Sequence, residues 1–174
     1  VNKSLYDTQK AQYRILIDKL WRHSLACAFG SKLIAQNLKL EDPENLFLLG
    51  LIHDVGKILL LKAFIEVTKQ KRLNIKAVQA NIQEAHFSLG RLLVKRWGFD
   101  DKFIKVINHH EDTEFGDDAS KETLVVHLAN MITRNIGFSL FEDEVDIAEL
   151  QSAQMLKLGP ENTHYTGEEL KQIM

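Results

Sequence analysis

The sequence has one cysteine, Cys27, and two prolines in 174 residues. A lone thiol excludes an intrachain disulfide. It also fits a reducing compartment, so a cytoplasmic location is the expectation. No window approaches ~18 consecutive apolar residues, so no membrane span is expected. The opening residues show no signal-peptide pattern. An excess of charge of one sign is missing too. Twenty-two Lys and Arg against 24 Asp and Glu leave a net charge of -2, which points away from nucleic acid and anionic membranes as partners. Arg91, Lys95, Arg96, Lys102 and Lys105 form a local basic cluster, read as a solvated helix face. Acidic runs at 111–118 and 142–149 are read as loops and caps. Strand-like alternation is scarce. What remains is 45% hydrophobic and 26% charged, enough apolar material for a globular core. The length favours one domain.

The apolar spacing is helical throughout, and the expectation is a single all-α domain of about seven to nine helices. Residues 7–38 read as one helix, with a kink placed near 18–21. Asp42-Pro43-Glu44 carries an N-cap, a proline at the first helical position and an acid near the positive end of the dipole. The helix it opens is expected to run to about Asp54 and to stop near Gly56. A further apolar run covers 58–67, and Asn74 is placed as the cap of the next helix. Residues 86–97 carry Leu89, Leu93 and Trp97 at helical spacing. Gly98 ends that helix, and Asp100 caps another to about His110. After a polar loop, helices are expected over 121–136 and 146–156. Thr166-Gly167-Glu168-Glu169 reads as a capping box for a short last helix. Trp21 and Trp97 read as core anchors.

Seven histidines stand out against this pattern. His23 shares a face with Leu16, Leu20, Cys27 and Ile34. His86 shares one with Leu89, Gly90, Leu93 and Trp97, and His110 with Phe103, Val106 and Ile107. Periodicity turns all three inward. His53 and Asp54 interrupt the apolar run "LIHDVGKILL". One inward histidine is usually a satisfied core residue. Four such helices each need partners for a buried ring, and one shared ion satisfies several at once. Imidazole and carboxylate donors suit Mn, Fe, Ni or Zn better than Ca. Lys57 reads either as a cation that meets a phosphate at the site mouth or as a plain helix C-terminal charge. Cys27 and His23 at i, i+4 could mimic a nucleophile pair, but a buried structural thiol is the commoner arrangement. His127 reads as helix surface or support for the site, and His164 as loop.

The order of these motifs resembles the HD superfamily of metal-dependent phosphohydrolases: His23, then His53-Asp54, then His86, then His109-His110. The blocks "LWRHSLACAFGSKLIA", "LLGLIHDVGKILL", "EAHFSLGRLLVKRWGFDDKFIKVINHHED" and "VVHLANMI" resemble its HDOD branch, a bacterial signalling domain. The resemblance covers residues 20–136. It implies a helical bundle around a mono- or binuclear centre. His23, His53 and Asp54 match three ligands of the primary site. His86, His109 and His110 match residues that support a second ion. Asp54 would bridge and accept a proton, with Lys57 beside it. The family's last primary ligand is an aspartate, and the matching position is Asn130. An amide ligates more weakly than a carboxylate, so metal affinity is expected to fall. Only about 19 residues precede the first block, so the resemblance implies either a chain lacking a helical section that the family usually carries there or the C-terminal part of a larger domain.

Three functions follow. The first is a regulatory module that relays a signal through a protein partner or a small phosphorylated or nucleotide ligand. The second is an active metal-dependent phosphohydrolase. The third is a metal-free helical interaction domain. Cyclic di-GMP hydrolysis is disfavoured, because no Gly-Tyr-Pro follows His110 and position 19 is a lysine where a third ion would want an acid. The sequence leaves the oligomeric state open.

Overall fold

The computed structural model describes residues 2–67, 75–139 and 146–174, and the described residues are helical with no strand. The order is α1 (Asn2–Asn37), α2 (Pro43–Ile52), α3 (Val55–Val67), α4 (Ile75–Arg96), α5 (Asp101–His109), α6 (Lys121–Asn135), a 3₁₀ turn (Ile147–Glu149), α7 (Gln151–Met155) and α8 (Pro160–Ile173). The all-α expectation holds. Several caps form as read. Asp42 accepts the Asn45 amide at 3.0 Å, and Asp100 accepts that of Lys102 at 3.1 Å. Gly98 and Gly137 leave their helices at positive φ, 76° and 93°, a conformation that costs glycine no steric strain.

α6 is the centre of the bundle. Every residue from 123 to 133 is buried, as expected of a helix packed on all sides. α1 and α2 pack on each other and on α6, α3 packs on α4, and α5, α7 and α8 close over α6. Two apolar clusters result. The larger joins Cys27, Ile34, Leu49, Val94, Phe103, Val106 and Leu128. The smaller joins Tyr13, Leu20, Leu61, Val78 and Ile82. Three strands of sequence cross from one cluster to the other, and each carries polar residues at the crossing. On α1, His23 lies between Leu20 and Cys27. Between α2 and α3, His53 and Asp54 lie between Leu49 and Leu61. On α4, His86 lies between Ile82 and Val94. The centre therefore sits on the seam between two cores.

The structure corrects several sequence expectations. α2 ends at Ile52 and α3 begins at Val55, so the break falls on His53-Asp54 and not on Gly56. Gly56 serves packing instead: a Cβ there would overlap the His86 carbonyl oxygen of α4. The buried stripe of α4 is Val78, Ile82, His86, Gly90 and Val94. It is rotated from the one drawn through Leu89, Leu93 and Trp97. Trp97 and Trp21 are 53% and 52% exposed, so neither anchors the core. α1 is a single helix through residues 18–21. Residues 146–156 divide into the 3₁₀ turn and α7. α8 starts at Pro160 after Gly159, and Thr166 lies in its interior, donating to the Asn162 carbonyl at 2.9 Å. His164 is therefore helical and exposed. Asn74 falls outside the described residues.

Candidate metal centre

Asp54 stands immediately before α3, and all the other polar groups of the seam gather around its carboxylate. Oδ2 lies 3.5 Å from His53 Nε2 and 3.6 Å from His23 Nε2. Oδ1 lies 3.1 Å from His110 Nε2 and 4.0 Å from His86 Nε2. All five residues are buried. Two donor groups share Asp54: His23, His53 and Asp54 on one side, and Asp54, His86, His110 and Glu111 on the other. Within each group the ligand atoms lie within 4.8 Å of one another.

The histidines are oriented by backbone. His23 Nδ1 donates to the Phe138 carbonyl at 2.6 Å, and His53 Nδ1 to Gly50 at 2.7 Å. His86 Nδ1 faces the Gln83 carbonyl at 2.8 Å, and His110 Nδ1 that of Ile107 at 2.9 Å. A carbonyl only accepts, so each Nδ1 carries the hydrogen, and in a neutral ring Nε2 is left with its lone pair. Burial lowers the His53 pKa to about 3 against the pull of Asp54. Burial likewise lowers His23 and His86. These rings are neutral at pH 7.

Four Nε2 atoms thus converge on one carboxylate. Among the described residues, His53 Nε2 and His86 Nε2 are buried with no hydrogen-bond partner, although buried polar atoms normally have one. His110 Nε2 lies within hydrogen-bond distance of Asp54 Oδ1, at 3.1 Å. The spacing also fits an ion. Ligand bonds of ~2.1 Å place neighbouring donor atoms roughly 3.0–3.4 Å apart. The Asp54 distances to His23, His53 and His110 lie in or just outside that range. The residues therefore fit a divalent ion. His23, His53 and Asp54 would hold it on the first side, and Asp54, His86, His110 and Glu111 on the second. Their N/O donor set suits Mn, Fe, Ni or Zn. Such an ion acidifies bound water and polarises phosphoryl oxygens.

Lys57 lies neither at the mouth nor at a helix C-terminus. It is buried in the first turn of α3, with Nζ 3.0 Å from Asp54 Oδ2 and 2.6 Å from Glu111 Oε1. Burial works to raise the Asp54 carboxyl, but its neighbours, the Lys57 ammonium first among them, outweigh it and hold it well below the usual carboxylate range. Burial works to lower Lys57, and its two carboxylates outweigh that in turn. Glu111 is depressed in the same way, chiefly by Lys57. Two carboxylates and one ammonium leave the centre at one negative charge.

Of the residues singled out in the sequence, His23, His53, Asp54, Lys57, His86 and His110 come together. His109 does not. It is exposed on the outer face of α5, where its Nδ1 meets Asp112 Oδ2 at 2.7 Å. Adjacent helical residues point about 100° apart, so only one of the pair can face the seam. Asn130 is buried, but its Nδ2 donates to the His110 carbonyl at 3.3 Å. An amide ligates through its oxygen, and a neutral oxygen does so more weakly than a carboxylate. Cys27 is fully buried and burial raises its thiol, so it is a packing residue and not a nucleophile. Glu111 and Gln83 were missed. Glu111 directly follows His110, and Gln83 lies three residues before His86, on the same face of α4. The Gln83 side-chain amide donates to Glu111 Oε2.

A family model for the HDOD domain matches residues 1–113. The chain belongs to the HDOD family. Two solved structures share the fold. One is an HDOD domain protein of unknown function from Geobacter sulfurreducens, 22% identical, with a TM-score of 0.66 over 88% of this chain and 58% of that one. The other, from Shewanella amazonensis, is provisionally described as a metal-dependent phosphohydrolase. It is 17% identical, with a TM-score of 0.67 over 88% of this chain and 59% of that one. The chain thus spans under three fifths of either protein. No curated protein matches it significantly in sequence. No helix among the described residues of this HDOD domain is long and apolar enough to cross a membrane.

His127 is buried beside the centre, with Nδ1 2.8 Å from Ser152 Oγ and its ring against Phe115. Burial and the nearby His110 lower its pKa to about 4. In the unfolded chain a histidine titrates near 6.5. As pH falls from 6.5 to 4, the unfolded state therefore takes up a proton that the folded state refuses. Stability is full above that window and declines through it. The His127 share of the loss between pH 7 and 5 is about 2 kcal/mol. Urea unfolding of wild type and His127→Gln at both pH values isolates it. An equal loss in the two proteins would refute the assignment.

Proposed function

We propose that this HDOD domain is a regulatory module. Its His–Asp centre would hold a divalent ion, and the domain would relay a signal through a protein partner or a small phosphorylated or nucleotide ligand. The observation that carries this reading is Asn130. In the phosphohydrolases that the chain resembles, that position holds the last primary ligand, an aspartate. Here an amide is tied to the His110 backbone. The ion would have one negative charge fewer in its ligand set. Enclosure supports the same reading. Asp54 and Lys57 are buried, and Lys57 is tied through Glu111 to Gln83. One divalent ion would turn the centre's single negative charge into a single positive one, which suits an anionic ligand.

A second reading, an active phosphohydrolase, is favoured by the shared Asp54 and the two unpartnered Nε2 atoms. The two readings separate in one experiment. Wild type and Asn130→Asp are loaded with Mn or Fe and offered phosphomonoesters and phosphodiesters. Wild type is expected to bind metal without turnover, and Asn130→Asp to bind Mn at least about tenfold tighter, as expected for restoring a carboxylate to the shell. Multiple turnover by wild type, absent from an Asp54→Ala control, would establish the hydrolase reading instead.

A further inference from the structure

We propose that Lys57 is the second cation of the centre, so that the native chain takes one divalent ion where a chain without this ammonium takes two. The inference rests on the reading of the centre as an ion site and goes beyond it to the number of ions.

Lys57 engages both carboxylates of the centre. Its Nζ lies 2.6 Å from Glu111 Oε1 and 3.0 Å from Asp54 Oδ2, and Glu111 Oε2 accepts the Gln83 amide. A carboxylate oxygen has two lone pairs, so each can accept from Lys57 and still face an ion. An ion at His23, His53 and Asp54 meets the ammonium through one shared carboxylate. An ion at Asp54, His86, His110 and Glu111 meets it through two, and shares the second with Gln83 as well.

Charge decides the order. Asp54, Glu111 and Lys57 sum to one negative charge, and one divalent ion brings the centre to one positive charge. A second ion with Lys57 in place would bring it to three, in a buried centre where unbalanced charge is costly. Without the ammonium, two ions leave only two positive charges, and Glu111 Oε1 is free to ligate. His86 Nε2 then gains the partner it lacks, since it already lies 3.8 Å from Glu111 Oε2.

The test is the number and coupling of bound ions in chelator-stripped protein titrated with Mn²⁺. It is read by elemental analysis after dialysis and by electron paramagnetic resonance. Wild type is expected to hold one Mn with the spectrum of an isolated ion. Lys57→Met is expected to hold two, with the spectrum of a spin-coupled pair. Adding Glu111→Gln to Lys57→Met returns the count to one. Gln83→Ala, at an exposed position that leaves the core intact, should lower the Mn²⁺ concentration at which a second ion enters by about tenfold. A coupled pair in wild type overturns the proposal while leaving the ion site standing, and it does so even if Lys57→Met fails to fold. One ion in both wild type and folded Lys57→Met overturns it as well. No ion in any of these proteins overturns the ion-site reading itself, and this inference with it.

Discussion

Asp54→Ala is expected to abolish divalent-ion binding and to destabilise the metal-free fold. The two effects have separate causes. Asp54 is the one residue common to both donor groups, so its loss removes a ligand from each side at once. The remaining histidines are neutral and hold an ion without a charged partner on the first side. Affinity for Mn²⁺ should fall by at least ~100-fold, more than loss of a merely supporting contact. The second effect concerns Lys57. Its ammonium is buried between two carboxylates and would keep only Glu111. Removing one partner of a buried ion pair costs about 3–5 kcal/mol. The surviving Glu111 contact places the expected loss near the lower end, about 3 kcal/mol. Calorimetric Mn²⁺ titration reads the first effect, and urea unfolding in excess chelator reads the second. Unchanged Mn²⁺ affinity would mean that the centre is not the ion site.

Gly56→Ala should unfold or severely weaken the domain, although the side chain gained is one methyl group. A Cβ at position 56 would overlap the His86 carbonyl oxygen and come within 2.9 Å of the His86 carbonyl carbon and 3.0 Å of the Gly90 nitrogen. All three are backbone atoms, so no side chain can swing aside. α3 and α4 would have to separate. That would open the small cluster of Leu61, Val78 and Ile82 and draw His86 away from Asp54. Overpacking of a tight core costs about 1–3 kcal/mol and more where backbone must move. The expected loss is therefore about 3 kcal/mol or greater. Gly98→Ala is the control. Its φ of 76° is unfavourable for alanine, but nothing lies within 4 Å of the added Cβ, so it should cost only about 1 kcal/mol. If urea unfolding ranks Gly56→Ala at or below Gly98→Ala, the close approach of α3 to α4 is wrong.

Gly56 also marks where sequence reasoning stops. A glycine after an apolar helical run reads as a terminator, and nothing local contradicts that. Its actual role depends on a helix some 30 residues away. The exposed Trp97 and Trp21 are the same kind of case. Spacing placed Trp97 on a stripe with Leu89 and Leu93, but a helix offers several overlapping stripes. Tertiary packing chose the one through Val78, Ile82, His86, Gly90 and Val94.

The sequence by itself determined the all-helical class, the caps at Asp42 and Asp100, and five members of the centre: His23, His53, Asp54, His86 and His110. Those features were legible because they rest on local rules. Helical periodicity turns a residue inward whatever lies opposite, and a buried imidazole demands a partner wherever it is. Only the tertiary structure decided which of His109 and His110 faces the seam, since neighbours on a helix diverge by about 100°. It also decided that Asn130 spends its amide on backbone and that Glu111 and Gln83 join the centre. Lys57 was visible in the sequence as a charge without a place. Its place depends on two carboxylates 57 positions apart in the chain, Asp54 and Glu111, and an ammonium between them is a long-range electrostatic arrangement that no local pattern encodes.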